Sequence, residues 1–214
     1  IGRKAVMAVT GLLMVLFVIG HLLGNLTIFA GADGINAYAF HLHELSPVVW
    51  ATRVVMGASV ITHITLSIML TLENRAAKPT PYAVNRLLKA TFAGKTMIWT
   101  GLLIGAFITF HLLHFTIRAL PDVVIGNDAK ERFDVYTMVV EALGTAPFGG
   151  IYIIAMVLLF LHLSHGIQSA FQTLGLSNAR LLEKQGMAGK GLSTVLLLGF
   201  GAIPVAILAG LLTK

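Results

Sequence analysis

The stretch at residues 97–118, MIWTGLLIGAFITFHLLHFTIR, decides the fold class of this chain. No charged side chain precedes Arg118 in it, and a helix needs about 20 apolar residues to cross a bilayer. Two histidines, His111 and His114, nevertheless interrupt the apolar run. An ionisable side chain at membrane depth is costly and usually marks a functional site. The stretch therefore predicts a membrane helix that carries a functional pair of imidazoles.

The composition of the whole chain agrees with a membrane location. Of the 214 residues, 57% are hydrophobic and 11% are charged, whereas a soluble domain carries about 25% charged residues. The chain has no cysteine, which excludes disulfides, thioether-linked haem and cysteine-ligated iron–sulfur clusters on it. The net charge of +6 is explained by the sidedness of membrane loops, so no nucleic-acid partner is expected.

Four other segments match the first in length and apolar character, which predicts an all-α integral membrane protein built as a bundle of five transmembrane helices. Arg3 and Lys4 precede a first run with no small-residue cleavage site, so this run is predicted to be a retained span. No repeat or linker divides the chain, and residues 1–214 form one predicted domain. The predicted spans are residues 5–29, 48–72, 96–117, 151–171 and 192–212.

The connections between the spans are predicted with less regular structure. Residues 31–47 are expected to form a loop or a short surface helix, and residues 74–95 a basic polar connection. The longest connection, 121–150, should hold an amphipathic helix near residues 132–143. Residues 178–191 are predicted to be a short basic turn.

Lysine and arginine positions predict the orientation, because cytoplasmic loops of membrane proteins are enriched in them. With five spans, ten of these residues fall on the side of the N-terminus and five on the other side. We therefore expect a cytoplasmic N-terminus and an outer C-terminus. The five outer residues are Arg53, Arg118, Lys130, Arg132 and Lys214.

The histidines of the spans fall at two depths. With a helical rise of about 1.5 Å per residue, His21 in the first span and His111 in the third lie at the same depth on the outer side. His63 in the second span and His165 in the fourth lie on the inner side. His162 falls near mid-membrane. Facing helices are thus expected to bring together one outer and one inner histidine pair.

Two imidazoles from facing helices are suitable axial ligands for a b-type haem. Zinc sites usually add carboxylate or cysteine, and no acid lies at either depth. A single membrane histidine can instead bond a serine or a carbonyl of a neighbouring helix. Small residues on the first and third spans either leave room for a macrocycle or serve helix packing. They are Gly11, Gly20, Gly24, Gly101 and Gly105.

Four segments carry a resemblance to a known family: GLLMVLFVIGHL, VITHITLSIML, TGLLIGAFITFHLLHF and LHLSHGIQSAFQ. The chain resembles the membrane cytochrome b subunit of succinate:quinone oxidoreductases and quinol:fumarate reductases, in the single-subunit, five-helix, two-haem class. The resemblance implies two haems b with the first span paired to the third and the second to the fourth. It also implies the axial iron ligands, which are His21, His63, His111 and His165.

Further residues are expected to act near the haems or the quinone, and for Glu44 this expectation comes from the resemblance. His114 would contact a haem propionate or the outer quinone region, or would be an interfacial histidine facing water. His162 would serve proton transfer or a hydrogen bond across the bundle. Glu44, in FHLHEL, matches an acid linked to quinol oxidation and would accept a quinol proton, with His41 and His43 as weaker neighbours. Leu163 departs from those members that carry a proton-path glutamate at this position.

The implied function is that of a membrane anchor and electron-transfer subunit in the bacterial inner (cytoplasmic) membrane. Its partners would be a flavoprotein subunit that interconverts succinate and fumarate, an iron–sulfur subunit, and menaquinone or menaquinol as bound substrate. A dimer of such heterotrimers is left open. The alternatives are the cytochrome b anchor of a hydrogenase or nitrate reductase, and a transporter that uses membrane histidines without a cofactor.

Overall fold

The computed structural model describes residues 2–77, 91–121 and 123–214, and the regular structure of these residues is helical. A 3₁₀ turn at Thr27–Ala30 joins the first two helices, and a π-helical turn at Leu112–Thr116 extends the fourth. The helices are α1 (Gly2–Leu26), α2 (Gly31–Glu44), α3 (Ser46–Ala76), α4 (Phe92–His111), α5 (Val135–Leu143), α6 (Ala146–Thr173) and α7 (Ala179–Leu208).

Five helical segments are long and apolar enough to cross a membrane. They correspond to α1 with its continuation into α2, to α3, to α4 with the π turn, to α6 and to α7. This confirms the predicted all-α class with five candidate spans, and it indicates a multi-pass membrane protein. Part of the predicted basic connection at 74–95 lies outside the described residues, including Lys78, Arg86 and Lys89.

Each of the five long helices begins before its predicted span, most clearly α7. Asn178 caps this helix, since its Oδ1 accepts hydrogen bonds from the backbone N–H groups of Arg180 and Leu181, at 3.0 Å each. An asparagine cap satisfies N–H groups that have no partner inside the helix. Residues predicted as a basic turn at 178–191 therefore form the polar first turns of α7. The predicted loop or surface helix at 31–47 is the helix α2.

The spanning helices pack as an antiparallel bundle with α6 at its centre, against α1, α4 and α7. Arg3 at the start of α1 forms an ion pair with Glu73 near the end of α3, which places these two ends on one side. Within the described chain, Ser59 is the only buried residue of α3 and Thr100 the only one of α4. These two helices therefore pack sparsely against the rest.

The opposite side of the bundle is covered by α2, α5 and the loop before α5. The side chain of Asn36 in α2 is fully buried there. Its Nδ2 donates to Asp128 Oδ2 at 3.2 Å and to Asp134 Oδ1 at 3.0 Å, and its Oδ1 accepts from Tyr136 N at 3.0 Å. Asp134 also caps α5 by accepting from Thr137 N. One amide thus joins α2 to α5, and we call this set of elements the outer cap.

Charged groups complete the outer cap. The guanidinium of Arg132 lies 2.6 Å from Asp128 and 2.7 Å from Asp33, and Lys130 lies 2.7 Å from Asp33. Hydrogen bonds from Arg132 hold the pKa of the Asp128 carboxyl far below its ordinary value. The hydroxyl of Tyr136 donates to the carbonyl of Thr213, so the C-terminus lies beside the same cap, on the side opposite Arg3.

Candidate functional site

The outer histidine pair joins α1 to the end of α4. The ring centroids of His21 and His111 lie 5.9 Å apart, with ring planes at 79°. These residues are 90 positions apart in the sequence, and their equal depth in the membrane predicts that they pair. The structure brings them together.

Aromatic rings surround this outer pair. Phe17 stacks on His21 one helical turn earlier, with centroids 5.4 Å apart, and Phe200 of α7 lies 5.8 Å away on another side. Phe107 stacks on His111 at 5.9 Å. The outer pair therefore has mainly aromatic neighbours, together with the side-chain amide of Asn25, whose Nδ2 lies 3.4 Å from both ring nitrogens of His21.

The hydroxyl of Tyr152 in α6 lies between His111 and His114, the two histidines of the third span. It is 3.3 Å from Nδ1 of His111 and 3.1 Å from Nδ1 of His114. His114 is fully buried and stacks on Phe115 at 4.2 Å. The alternative in which His114 is an interfacial histidine facing water is therefore wrong, because the aromatic rings of α4 and α6 enclose it.

The inner pair joins α3 to α6. The ring centroids of His63 and His162 lie 6.4 Å apart, with ring planes at 68°. Nδ1 of His63 lies 3.0 Å from the carbonyl oxygen of Met7, which can only accept, so this nitrogen carries the proton. Nδ1 of His162 lies 3.3 Å from Thr100 Oγ1.

The hydroxyl of Thr100 donates along its own helix to the carbonyl of Thr96 or Met97, at 3.1 Å each. Its oxygen is then an acceptor for the Nδ1–H of His162. In His63 Nδ1 is the protonated nitrogen, which leaves Nε2 as the nitrogen with a lone pair, and the contact with Thr100 is compatible with the same tautomer in His162. Such an Nδ1 hydrogen bond is the usual means of fixing the tautomer of a metal-binding histidine.

His165, the predicted inner ligand, lies one turn further along α6. A Cβ built on Gly94 of α4 would be 3.1 Å from Cε1 of His165, so this ring packs against the start of α4. Among the described residues, His162 rather than His165 makes the ring contact with His63. The pairing of His63 with His165 stays a prediction, and His162 becomes its competitor.

Two glycines make room for the inner rings. A Cβ at Gly11 in α1 would lie 3.2 Å from Cε1 of His63, and a Cβ at Gly101 in α4 would lie 3.1 Å from Cε1 of His162. Both distances are shorter than ordinary carbon–carbon contact of about 3.5–4.0 Å. Gly24 instead accommodates Tyr38, and nothing lies within 4 Å of a Cβ at Gly20. Two of the five predicted small residues thus serve the inner histidines.

The spacing of both pairs fits two imidazoles bound to one metal ion. A metal–imidazole bond is about 2 Å long and the ring centroid lies roughly 1 Å beyond the nitrogen, so opposed ligand rings have centroids about 6 Å apart. Both observed distances agree with this value. In the described part of the chain no cluster of three or more His, Cys, Asp or Glu side chains could hold a metal ion. A pair of imidazoles would suit an iron whose other ligands come from a macrocycle, whereas a zinc site usually has at least three protein ligands.

Comparison with known proteins identifies no family for this chain. No family model, curated protein or solved structure matches this chain. The five candidate spans and the two ring pairs therefore carry the functional conclusion.

Glu44, the predicted quinol proton acceptor, ends α2 at the surface. Its Oε2 lies 3.1 Å from Nδ1 of His41, and both side chains are more than half exposed. His43 is exposed as well. Immediately after them, the first turns of α3 form a shallow apolar groove lined by Pro47, Val48, Ala51, Thr52, Val55 and Met56.

Leu163 is buried in an apolar cluster with Leu22, Ile167 and Leu196. The position at which some members of the resembled family carry a proton-path glutamate is therefore apolar core in this chain.

Sequence reasoning missed Tyr152 and Thr100, which contact the predicted site residues from neighbouring helices. Tyr152 was detectable in principle because it is the only tyrosine in any of the five predicted spans. Thr100 gives no such signal, since threonine is common in membrane helices and its role depends on which helix faces it.

Proposed function

We propose that this chain is a dihaem cytochrome b that anchors a succinate dehydrogenase or fumarate reductase complex in the membrane and connects it to quinone. The observation that carries the proposal is the presence of two histidine pairs on four different helices, each with the spacing of two ligands on one metal ion. The glycines and the Nδ1 hydrogen bonds around the inner pair support it.

Histidines from four helices are the proposed iron ligands, and aromatic rings shield the outer pair. His21 and His111 would hold the outer iron, and His63 would hold the inner iron together with His162 or His165. A b-type haem with two histidine ligands supplies one-electron transfer, since no position is left open for a substrate at the iron. The apolar rings of Phe17, Phe107 and Phe200 exclude water from the outer pair.

For the second inner ligand, the sequence and the structure favour different residues. The resemblance favours His165, through the motif HG. The ring contact with His63 and the hydrogen bond to Thr100 favour His162. The two residues are separated by three positions, so each would place the iron at a different depth, about 4.5 Å apart along α6.

The partners follow from the resemblance and from charge. A flavoprotein and an iron–sulfur subunit would dock on the side that carries Arg3, Arg75, Lys95 and Lys184, because complementary charge steers docking. Menaquinol would be oxidised, or menaquinone reduced, near the outer pair. Glu44 would take the quinol proton at the edge of the membrane, with His41 as its hydrogen-bond partner.

Haem content and co-purifying subunits test this function. A pyridine haemochrome assay on the purified protein is expected to give two haems b per chain, and a reduced-minus-oxidised spectrum should show b-type bands. Absence of haem would favour the cofactor-free transporter instead. Hydrogenase or nitrate reductase subunits in the purified complex would favour the other cytochrome anchors over a succinate or fumarate enzyme.

A further inference from the structure

The hydroxyl of Tyr152 on α6 contacts both histidines of the third span. We propose that Tyr152 is a positioning residue that orients His111 and lowers the redox potential of the outer haem, and that His114 acts on the iron through this hydroxyl. The proposal rests on the proposed function, because it needs His111 as a ligand.

The direction of the hydrogen bonds follows from the ligand chemistry. A histidine that binds iron through Nε2 carries its proton on Nδ1, so His111 donates to the Tyr152 oxygen across 3.3 Å. The tyrosine has a single proton, and Nδ1 of His114 lies 3.1 Å from its oxygen. The chain of donors then runs from His111 to Tyr152 to His114. In this chain His114 accepts through Nδ1 and is not itself a ligand.

An acceptor on Nδ1–H gives the imidazole more anionic character and makes it a stronger base toward the metal. A more basic ligand stabilises ferric over ferrous iron, so the potential falls. Because His114 draws on the tyrosine proton, it makes the phenol oxygen a better acceptor, and linked hydrogen bonds strengthen one another in this way. Removing Tyr152 should therefore raise the outer potential, and removing His114 should raise it less.

Local packing gives Tyr152 a fixed position. Its ring makes edge contacts with Phe107 at 5.1 Å and with Phe115 at 5.6 Å. The π turn begins at Leu112, directly after His111, and brings the consecutive residues His114 and Phe115 against the same tyrosine. π turns inside α-helices occur frequently at functional sites. The inner pair has no counterpart of this arrangement among the described residues, since its Nδ1 atoms contact a carbonyl and a threonine.

The test is a redox titration of the intact complex carrying Tyr152→Phe, with Tyr136→Phe as the matched control. The Tyr136→Phe variant also removes a hydroxyl near the outer cap, but that hydroxyl donates to the Thr213 carbonyl and contacts no proposed haem ligand. A His111→Ala variant, which lacks the outer haem, identifies which of the two potentials belongs to the inner one. The electron paramagnetic resonance signal of the outer haem provides a second readout of ligand orientation.

For Tyr152→Phe we expect two haems per chain, a higher outer potential, a shifted outer resonance signal and an unchanged inner potential. Two bound haems with an outer potential equal to that of Tyr136→Phe would overturn the proposal while leaving the dihaem function intact. If Tyr152→Phe loses the outer haem, His114→Phe decides, because phenylalanine suits a site already lined by Phe115 and Phe148. A raised outer potential in His114→Phe supports the proposal, and an unchanged one refutes it. Absence of haem from the unmutated complex would refute the proposed function itself.

Discussion

His63 and His162 lie with their ring centroids 6.4 Å apart, and each is hydrogen-bonded through Nδ1 to a helix other than its own. His63 on α3 donates to the Met7 carbonyl of α1, and His162 on α6 contacts the Thr100 hydroxyl of α4. Four helices therefore fix the orientation of one pair of rings.

Replacing either candidate for the second inner ligand should distinguish them. If His162 binds iron, His162→Ala removes one of the two haems and His165→Ala keeps both, and the reverse holds if His165 is the ligand. We expect the first result, because His162 makes the ring contact and has the oriented Nδ1. The measurement is the haem-to-chain ratio by pyridine haemochrome, with His63→Ala as the variant that should lose the inner haem in either case.

A side chain at Gly101 should displace the inner ring. Gly101→Val introduces a Cβ 3.1 Å from Cε1 of His162, and the two branch methyls leave less space still. We expect loss or weakened binding of the inner haem, with the outer haem retained. Low-temperature difference spectra measure both haems. Gly57→Val is the control, because nothing lies within 4 Å of a Cβ there. Equal spectra for the two variants would show that Gly101 does not shape the site.

Glu44→Gln should impair the reaction with quinone while leaving succinate oxidation by the complex intact. Glutamine keeps the size and polarity of the side chain but cannot accept a proton as a carboxylate does. We expect quinone-linked turnover to fall by at least about tenfold, since a positioned acid or base contributes typically 10²–10⁴-fold. Both haem spectra and succinate oxidation by a soluble dye should be unchanged. Normal quinone turnover would remove Glu44 from the mechanism.

Asn36→Ala should loosen the outer cap without disturbing the ring pairs. The substitution leaves the carboxylates of Asp128 and Asp134 and the N–H of Tyr136 without the amide that they contact. Loss of a partner for buried polar groups costs about 1–3 kcal/mol. Hydrogen exchange should accelerate at residues 126–143 and not at the inner ends of the helices. Asn127→Ala, at an exposed position, is the control that should exchange normally.

Acid should weaken the same cap. The pKa of Asp128 is lowered in the folded protein by hydrogen bonds from Arg132, below an unfolded value of about 3.9. A group with a lowered folded pKa contributes stability above its unfolded pKa, and this contribution is lost as the pH falls toward the folded value. Protection of residues 126–143 should therefore decline from about pH 4–5 downward. In Asp128→Asn the decline should be shallower, since the ionisable group is gone, and an unchanged pH profile would contradict the assignment.

The sequence predicted the architecture well because apolar length is a strong signal in membrane helices. Depth alone placed His21 beside His111, since the first and third spans run in the same direction and residues at equal depth on them can meet. Depth favoured His165 over His162 as the partner of His63, but two positions three residues apart on one helix differ in depth by less than a turn. Rotation about the helix axis decides that choice, and it depends on how α3, α4 and α6 pack. Tyr152 and Thr100 were missed for the same reason.

The π turn after His111 has a consequence for the comparison of sequences. The N–H of Ile117 bonds to the carbonyl of Leu112, five residues back rather than four. An α-helix turns by about 100° per residue. Deleting one residue from 112–116 would restore the regular helix and rotate everything outward of it by about that angle, while His111 kept facing His21. Homologues without the turn would therefore be one residue shorter at this point, and a gap-free alignment through it would assign the wrong counterparts to Phe115, Arg118 and the outer loop.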